Sequence, residues 1–473
     1  MRLDTATSHF SGEIPFDAAD PKAALAQLPP TDAVFALYGA DAHAEPYIGR
    51  TPNLQARLGR LLQPSTKHPR RLQLAGLVRR IAWRVTGSEF ESLLAQFSLL
   101  EEVYGAKACE RMHLRMPAFV RFLGGNPYPR VVVTHRPSQR EADWAYGPFP
   151  SRAAAERFCE EMLKLFLLRR CVEDLHPDPS HPGCVYSEMK MCLAPCYKGC
   201  SDERYAEESK GVQEFLATRG ESRLVTLRTQ RDEASANLEF ENAAALHAQV
   251  QKVEAVRALA PELVRPMSQL RAVILQASAQ GDEVAVFLYE DGRVCGPAAF
   301  STIGMRIQNE HSGSSSLFAQ PMALEPVPES TDQSAGTGNQ ETVGTRKHEG
   351  DEAAAAPDLS SLPGPELSGG EGSHQNAGVS APALSPAAAK VQRGMLEARL
   401  DEVLGKLAGA IDAPNAVERQ GHLALLKRWY YRPEARREGE VFFPDAEGHW
   451  PVKAILRGIG RVAAKAWMAQ HRE

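Results

Sequence analysis

The chain has 473 residues, of which 43% are hydrophobic and 24% charged, with a formal net charge of −5. That length exceeds the roughly 100–200 residues of one domain, so several units are expected. The charge balance excludes a globally basic nucleic-acid binder, and any such contact has to come from a local patch. Residues 1–16 lack an apolar core behind a positive start and do not read as a secretion signal. No run of about 18 apolar residues predicts a spanning helix. The expectation is a cytoplasmic protein with no membrane partner.

Residues 1–30 are weakly patterned and read as an N-terminal extension. Residues 33–38 (Ala-Val-Phe-Ala-Leu-Tyr) predict a strand, 39–46 a turn and 47–49 a second strand, together a hairpin. Asn53 caps a helix carrying Leu54, Leu58, Leu61 and Leu62 on one face. Residues 72–82 and 89–103 read as two more helices, 130–135 as a strand, and 153–168 as an amphipathic helix. A loop-rich cysteine segment follows. Helical periodicity then runs over 205–259, broken near Gly220, and suits an antiparallel helix pair. Residues 273–275, 284–289 and Val294 predict a meander turning at Asp291-Gly292. Between 309 and 386 the composition collapses into Ser, Gly, Glu, Ala and Pro, which predicts disorder. Helices over 388–407 and 416–431, a short strand at 440–443 and a last helix complete an α+β chain. The expected divisions are 31–110, 111–204, 205–262, 268–305, a linker at 306–388, and a C-terminal helical segment at 389–473.

Eight cysteines are present, and five fall between Cys171 and Cys200. In a chain without a secretion signal such clustering reads as metal ligands or redox groups rather than disulfides. The spacing is Cys171-x12-Cys184-x7-Cys192-x3-Cys196, with Cys200 after three more intervening residues, and Pro177, Pro179, Pro182, Gly183 and Pro195 supply turns. Four soft thiolates converging from loops suit an iron–sulfur cluster or zinc, and spacing alone does not choose between them. Incidental buried thiols are the plainer alternative. A second feature is the stretch from Pro46 to Ser88, which has no acidic residue yet carries Arg50, Arg57, Arg60, Lys67, Arg70, Arg71, Arg79, Arg80 and Arg84. Such a patch suits DNA phosphates, which position a protein without being read as sequence. A merely solvated basic face is the alternative.

Several motifs carry a more specific resemblance. Tyr146-Gly147-Pro148-Phe149, the run from Leu165 to Arg169-Arg170-Cys171, His181-Pro182-Gly183-Cys184 and Met191-Cys192-Leu193-Ala194-Pro195-Cys196 resemble the middle of the bacterial excision nuclease family UvrC. In that family four cysteines at these positions hold a 4Fe–4S cluster. The resemblance therefore implies Cys171, Cys184, Cys192 and Cys196 as ligands, while Cys200 has no counterpart. The run from Asn237 to Leu246 resembles the UVR motif, a hairpin that docks on UvrB. It implies Leu238, Phe240 and Leu246 as apolar anchors for a UvrB-type partner, with small Ala243 and Ala244 allowing close approach. His247-Ala248 stand where the family has Arg-Asp.

The run from Tyr47 to Leu58 resembles the second half of the GIY-YIG nuclease signature. That likeness implies metal-assisted phosphodiester hydrolysis with Mg²⁺ or Mn²⁺, Tyr47 near the nucleophile, Arg57 on the phosphate, and Arg50 where UvrC has a lysine. Two positions depart from the pattern. Phe35 falls at the first signature tyrosine, leaving Tyr38 as the candidate replacement hydroxyl. Gln96 falls where the family's metal-binding glutamate stands, and hard cations prefer carboxylate oxygens. Glu89 or Glu91 would have to serve from a shifted position. Residues 272–296 resemble the opening strands of UvrC's RNase H-like half, whose carboxylates would lie further on. Residues 457–461 faintly resemble a helix-hairpin-helix turn, a plain amphipathic helix being the simpler reading. The implied function is a UvrC-like nucleotide excision repair protein that binds DNA, with impaired GIY-YIG cleavage. The alternative is a non-catalytic adaptor that holds DNA or a UvrB-type partner.

Overall fold

The computed structural model describes residues 10–41, 43–63, 74–136, 143–303, 305, 386–409 and 414–470. The expected disordered linker lies outside the described residues except at its C-terminal end, and so do Lys67, Arg70 and Arg71. The chain is α+β, built on three four-stranded sheets in which every pairing is antiparallel.

The first sheet has the order β1-β4-β2-β3, from Gly12–Pro15, Arg80–Val85, Ala33–Tyr38 and Tyr47–Thr51. Helix α1 (Pro21–Ala26) and α2 (Leu54–Leu62) cover one face, burying Leu25, Leu54, Leu58 and Leu61 against Phe35 and Leu37. Asn53 caps α2 by accepting from the Ala56 N–H. Helix α3 (Glu89–Tyr104) lies on the other face, where Ala95 and Leu99 meet Val34. Two expectations fail here. Residues 12–26, read as part of an unpatterned extension, supply β1 and α1; elements of four and six residues leave too little periodicity to detect. Residues 80–85, partly assigned to a helix, form the strand β4, because β1 and β2 pair with it on both sides and tertiary pairing overrides local pattern.

The second sheet has the order β6-β5-β7-β8, from Arg130–Thr134, Ala118–Leu123, Asp143–Phe149 and Arg265–Pro266. The short helix α4 (Ala108–Arg111) precedes it. Helix α5 (Arg152–Leu163) packs on the sheet and ends five residues earlier than predicted. After the cysteine segment and its one-turn helix α6 (Val185–Glu188), three helices follow rather than two: α7 (Asp202–Ala217), α8 (Glu221–Ala236) and α9 (Phe240–Ala258). The predicted break at Gly220 separates α7 from α8, and α8 with α9 makes the hairpin.

The third sheet has the order β11-β10-β9-β12, from Arg293–Ser301, Glu283–Glu290, Ala272–Ala277 and Glu440–Phe442. Helices α10 (Pro386–Gly409) and α12 (Val452–Gln470) cover one face, with Leu400, Leu404, Ile455 and Ile459 buried on Val273, Leu275 and Val286. Helix α11 (Ala416–Tyr430) and α3 cover the other. Residues 389–409 and 414–470, set apart from 268–305 in the expected divisions, pack on these strands and supply the edge strand β12. Helix α3 is shared between the first and third sheets.

His422 on α11 is 5% exposed and its Nδ1 accepts the Val294 N–H at 3.1 Å. Burial, followed by repulsion from Arg293, lowers its pKa from 6.5 to about 4. The unfolded chain therefore takes up this proton first. Stability from this group is complete above pH 6.5 and is lost as the pH falls towards 4, by about 3 kcal/mol. Urea midpoints at pH 7 and pH 4 test this; His422→Gln should flatten the dependence over that window.

Candidate metal centre and the face of the first sheet

The cysteine segment is folded by a buried arginine that the sequence did not single out. Arg169 is 2% exposed. Its Nε donates to the Tyr128 carbonyl at 2.9 Å, and its Nη1 donates to the Glu173 carbonyl at 2.9 Å and to Cys171 Sγ at 3.4 Å. Its own N–H donates to the Tyr205 hydroxyl, which in turn donates to the Pro129 carbonyl. This network ties the cysteine loop to the second sheet and to α7. Backbone bonds from Leu193 to the Leu167 carbonyl and from Asp178 to the Cys196 carbonyl close the loop on itself. The only sequence signal for Arg169 was its place two residues before Cys171.

Within that frame Cys171, Cys184, Cys192 and Cys196 line one small cavity, together with Arg170, Leu175, Tyr186 and Pro195. All eight cysteines are free thiols. Cys200 does not line the cavity; it packs beside the core of the second sheet. Burial first, and then the facing sulfurs of Cys171, Cys184 and Cys196, push the Cys192 thiol up to about 11, against the Ala194 N–H that favours its thiolate. That N–H reaches Cys192 Sγ at 3.3 Å, and Ala194 adopts the left-handed conformation (φ 54°) to aim it. Four thiols lining one cavity, with N–H donors on the sulfurs of Cys171 and Cys192, suit a soft cation or cluster, whose charge relieves the mutual repulsion.

The predicted catalytic residues divide between the two faces of the first sheet. Phe35 pairs with Gly49 and Leu37 with Tyr47, so Phe35 and Tyr47 share the α2 face, their ring centroids 6.2 Å apart. A Cβ on Gly49 would come within 2.7 Å of the Phe35 ring, so glycine is needed there. Arg57 stands on α2, on that same side. Tyr38 points to the opposite face, where the Arg80 guanidinium lies 3.9 Å above its ring. It therefore does not replace the hydroxyl missing at Phe35. Arg50, opposite Val34, also faces away from Tyr47 and pairs with Glu89 at 3.1 Å.

The carboxylates are committed elsewhere. Glu89 is gripped by both terminal nitrogens of Arg432, one at 2.7 Å, as well as by Arg50. Glu91 accepts the Gly87 N–H at 2.9 Å and pairs with Arg84 at 3.7 Å. Gln96 is half-buried on α3. Among the described residues no three ligand atoms converge on this face; the one such group, Asp445, Glu447 and His449, is exposed and lies near the C-terminus. The residues present do not fit a divalent cation here. The basic run is also partly neutralised: Arg50, Arg80 and Arg84 pair with Glu89, Glu13 and Glu91, and Arg79 and Arg60 donate to backbone carbonyls.

The hydrogen bonds from Arg432, followed by the charges of Arg432 and Arg50, lower the Glu89 pKa in spite of its partial burial. Its contribution is complete above the ordinary carboxylate value of 4.5 and is lost as the pH falls through the lower folded value. The Arg432 and Glu89 side chains are 25% and 35% exposed, so solvent screens the pair. Arg432→Gln is expected to weaken the acid limb of stability below pH 4.5, read from urea midpoints across that range.

At the α8–α9 turn, Leu238 is 72% and Phe240 66% exposed, with Leu238 at φ 62°. Leu246, expected beside them, packs partly against the core of the second sheet.

Residues 119–215 match the family model of the UvrC/Cho excinuclease, middle domain. The chain is 30% identical over 254 residues to the UvrABC system protein C of Alcanivorax borkumensis, which is 54% of this chain and 41% of that protein. It is 27% identical over 239 residues to the protein of that name from Aliivibrio fischeri (50% and 39%) and 28% identical over 241 residues to that of Escherichia coli O1:K1 (51% and 39%). The chain thus spans about two fifths of the length of these relatives. No solved structure matches it. The segment that gathers the four thiols is therefore the part of the chain similar to the UvrC/Cho middle domain, within a protein that is similar over half its length to UvrABC system protein C.

Proposed function

We propose that this chain is a UvrC-like nucleotide excision repair protein that binds DNA and a UvrB-type partner around a 4Fe–4S centre. The observation that carries the reading is the convergence of Cys171, Cys184, Cys192 and Cys196 on one cavity inside the stretch similar to the UvrC/Cho middle domain. The likeness of the flanking motifs to UvrC favours a 4Fe–4S cluster, with zinc as the alternative. A bound cluster would cross-link the segment's loops and supply a redox-active centre. The protein's own part is to bury it and to direct the Ala194 and Arg169 N–H groups at its thiolates. The exposed Leu238 and Phe240 at the hairpin tip support docking of a UvrB-type helix. Leu238→Ser with Phe240→Ser is expected to weaken capture of purified UvrB at least tenfold without lowering Tm, because neither side chain is packed; unchanged capture would remove the hairpin from the interface.

The non-catalytic form of this reading is favoured by one specific observation: Glu89 and Glu91 are held by arginines while Gln96 offers only an amide. The GIY-YIG likeness then marks ancestry, with Arg57 retained for phosphate contact. A nicking assay on damaged duplex with Mg²⁺ or Mn²⁺ decides it. The expected result is DNA binding without metal-dependent cleavage. Nicking by the wild type that disappears in Arg57→Ala would establish an active endonuclease instead.

A further inference from the structure

Apart from the thiols and the first sheet, a cleft of about 280 Å³ is lined by Tyr146, Arg219, Glu254, Arg257 and Ala260. It lies where β7, the α7–α8 turn and the end of α9 meet. Arg219 and Gly220 both turn left-handed there, at φ 52° and 81°. A Cβ on Gly220 would come within 2.8 Å of Arg257 Cγ, so the glycine lets the Arg257 stem lie across the turn. Arg257 pairs with Glu221 at 2.9 Å, and the carboxylate of Glu254 is engaged by Arg228 at 2.8 Å. Behind the cleft Arg265 is 9% exposed, its guanidinium donating to the carbonyls of Glu262 and Pro444 and lying 4.3 Å from the Phe443 ring centre. Burial and the charge of Arg219 lower its pKa to about 10. Arg219 lies beside the buried Tyr146 hydroxyl, both lining the cleft, and its charge partly offsets the rise that burial gives the phenol's pKa. It makes no ion pair among the described residues, and its Nε is buried without a partner.

Two guanidiniums, Arg219 and Arg257, thus line one cleft with Arg265 behind it, and the one carboxylate lining the cleft, Glu254, is occupied by Arg228. Such a site gains by taking an anion with several acceptor oxygens, which a planar guanidinium fork matches. We propose that this cleft holds one phosphate of a nucleic-acid backbone, bound by Arg219 and Arg257 beside the Tyr146 hydroxyl. The proposal rests on the DNA-directed reading above and adds a contact outside the basic run of residues 46–88. The phosphate positions the strand against the α7–α8 turn and reads no sequence.

The test is fluorescence anisotropy of a labelled duplex titrated with the full chain at several salt concentrations. One lost phosphate contact lowers the slope of log K against log salt by about 0.9 and weakens binding about eightfold at 0.1 M salt. Arg219→Gln is expected to show both changes, and Arg219→Lys, which keeps the charge, is expected to retain the wild-type slope. If Arg219→Gln does not fold, as judged by circular dichroism, Arg257→Gln carries the same expectation. Wild-type affinity and slope in the glutamine variant would overturn the site while leaving the DNA-directed reading intact. Absence of binding by the wild type would overturn both. Inorganic phosphate that raises the Tm of the wild type but not of Arg219→Gln, with duplex affinity unchanged, would assign the cleft to a small phosphate compound and overturn the nucleic-acid assignment.

Discussion

Replacing Cys192 by serine is expected to strip the protein of iron and sulfide and to loosen the whole segment from Leu167 to Ser201. Cys192 lies amid the other three sulfurs, and its N–H donor, Ala194, is held in a left-handed conformation by the loop around it. This segment has little regular structure beyond one turn of α6 and a short 3₁₀ turn at Pro195–Tyr197. Beyond the Arg169 network and the loop's own backbone bonds, a bound cluster would add cross-links, and metal binding at such sites is folding free energy. A loss of about 3 kcal/mol or more is expected, seen as a Tm lowered by roughly 6–12 °C. Anaerobic purification, absorbance in the thiolate–iron band and metal analysis read the first part; calorimetry reads the second. Cys200→Ser is the matched control and should keep full iron, because Cys200 lies outside the cavity. One zinc per chain with neither iron nor sulfide in the wild type would refute the cluster assignment.

Trp429→Ala is expected to cost about 3–5 kcal/mol, the range for a fully buried aromatic truncated to alanine. Trp429 is 2% exposed, its ring centroid lies 5.2 Å from that of Phe90 on α3, and its Nε1 donates to the Glu438 carbonyl at 3.0 Å. Phe90 also meets Phe287 of β10 edge-on at 5.4 Å. The three rings join α3, which backs the first sheet, to α11 and the third sheet. Hydrogen exchange should therefore show lost protection in α3 as well as in β9 and β10. Wild-type exchange in α3, with loosening confined to the third sheet, would show that the two parts unfold independently and that the aromatic seam does not couple them.

Much of the candidate site was legible because its signals are local. The thiol spacing, the turn residues between them and the likeness of the flanking motifs named Cys171, Cys184, Cys192 and Cys196, and the structure sets these four around one cavity while leaving Cys200 aside. The strand at Ala33–Tyr38 was readable as a short continuous apolar run, and the capped helix α2 and helix α3 by apolar residues at helical spacing. The break at Gly220 was readable for a different reason, glycine being suited to the left-handed turn that ends α7.

The rest depended on contacts distant in sequence. Strand β4 resembled a helix until β1 and β2 paired with it. Arg169 gave no sign that it would be buried, because its partners at Tyr128 and Tyr205 lie about forty residues to either side. Whether Glu89 could hold a metal was decided by Arg432, a residue 343 positions away that occupies its carboxylate. The sequence by itself determined which residue types were available to bind a soft metal, a phosphate or a partner helix. Only the tertiary structure decided which of them meet. Local spacing sets periodicity and turns, whereas convergence of charges and thiols depends on which faces pack together.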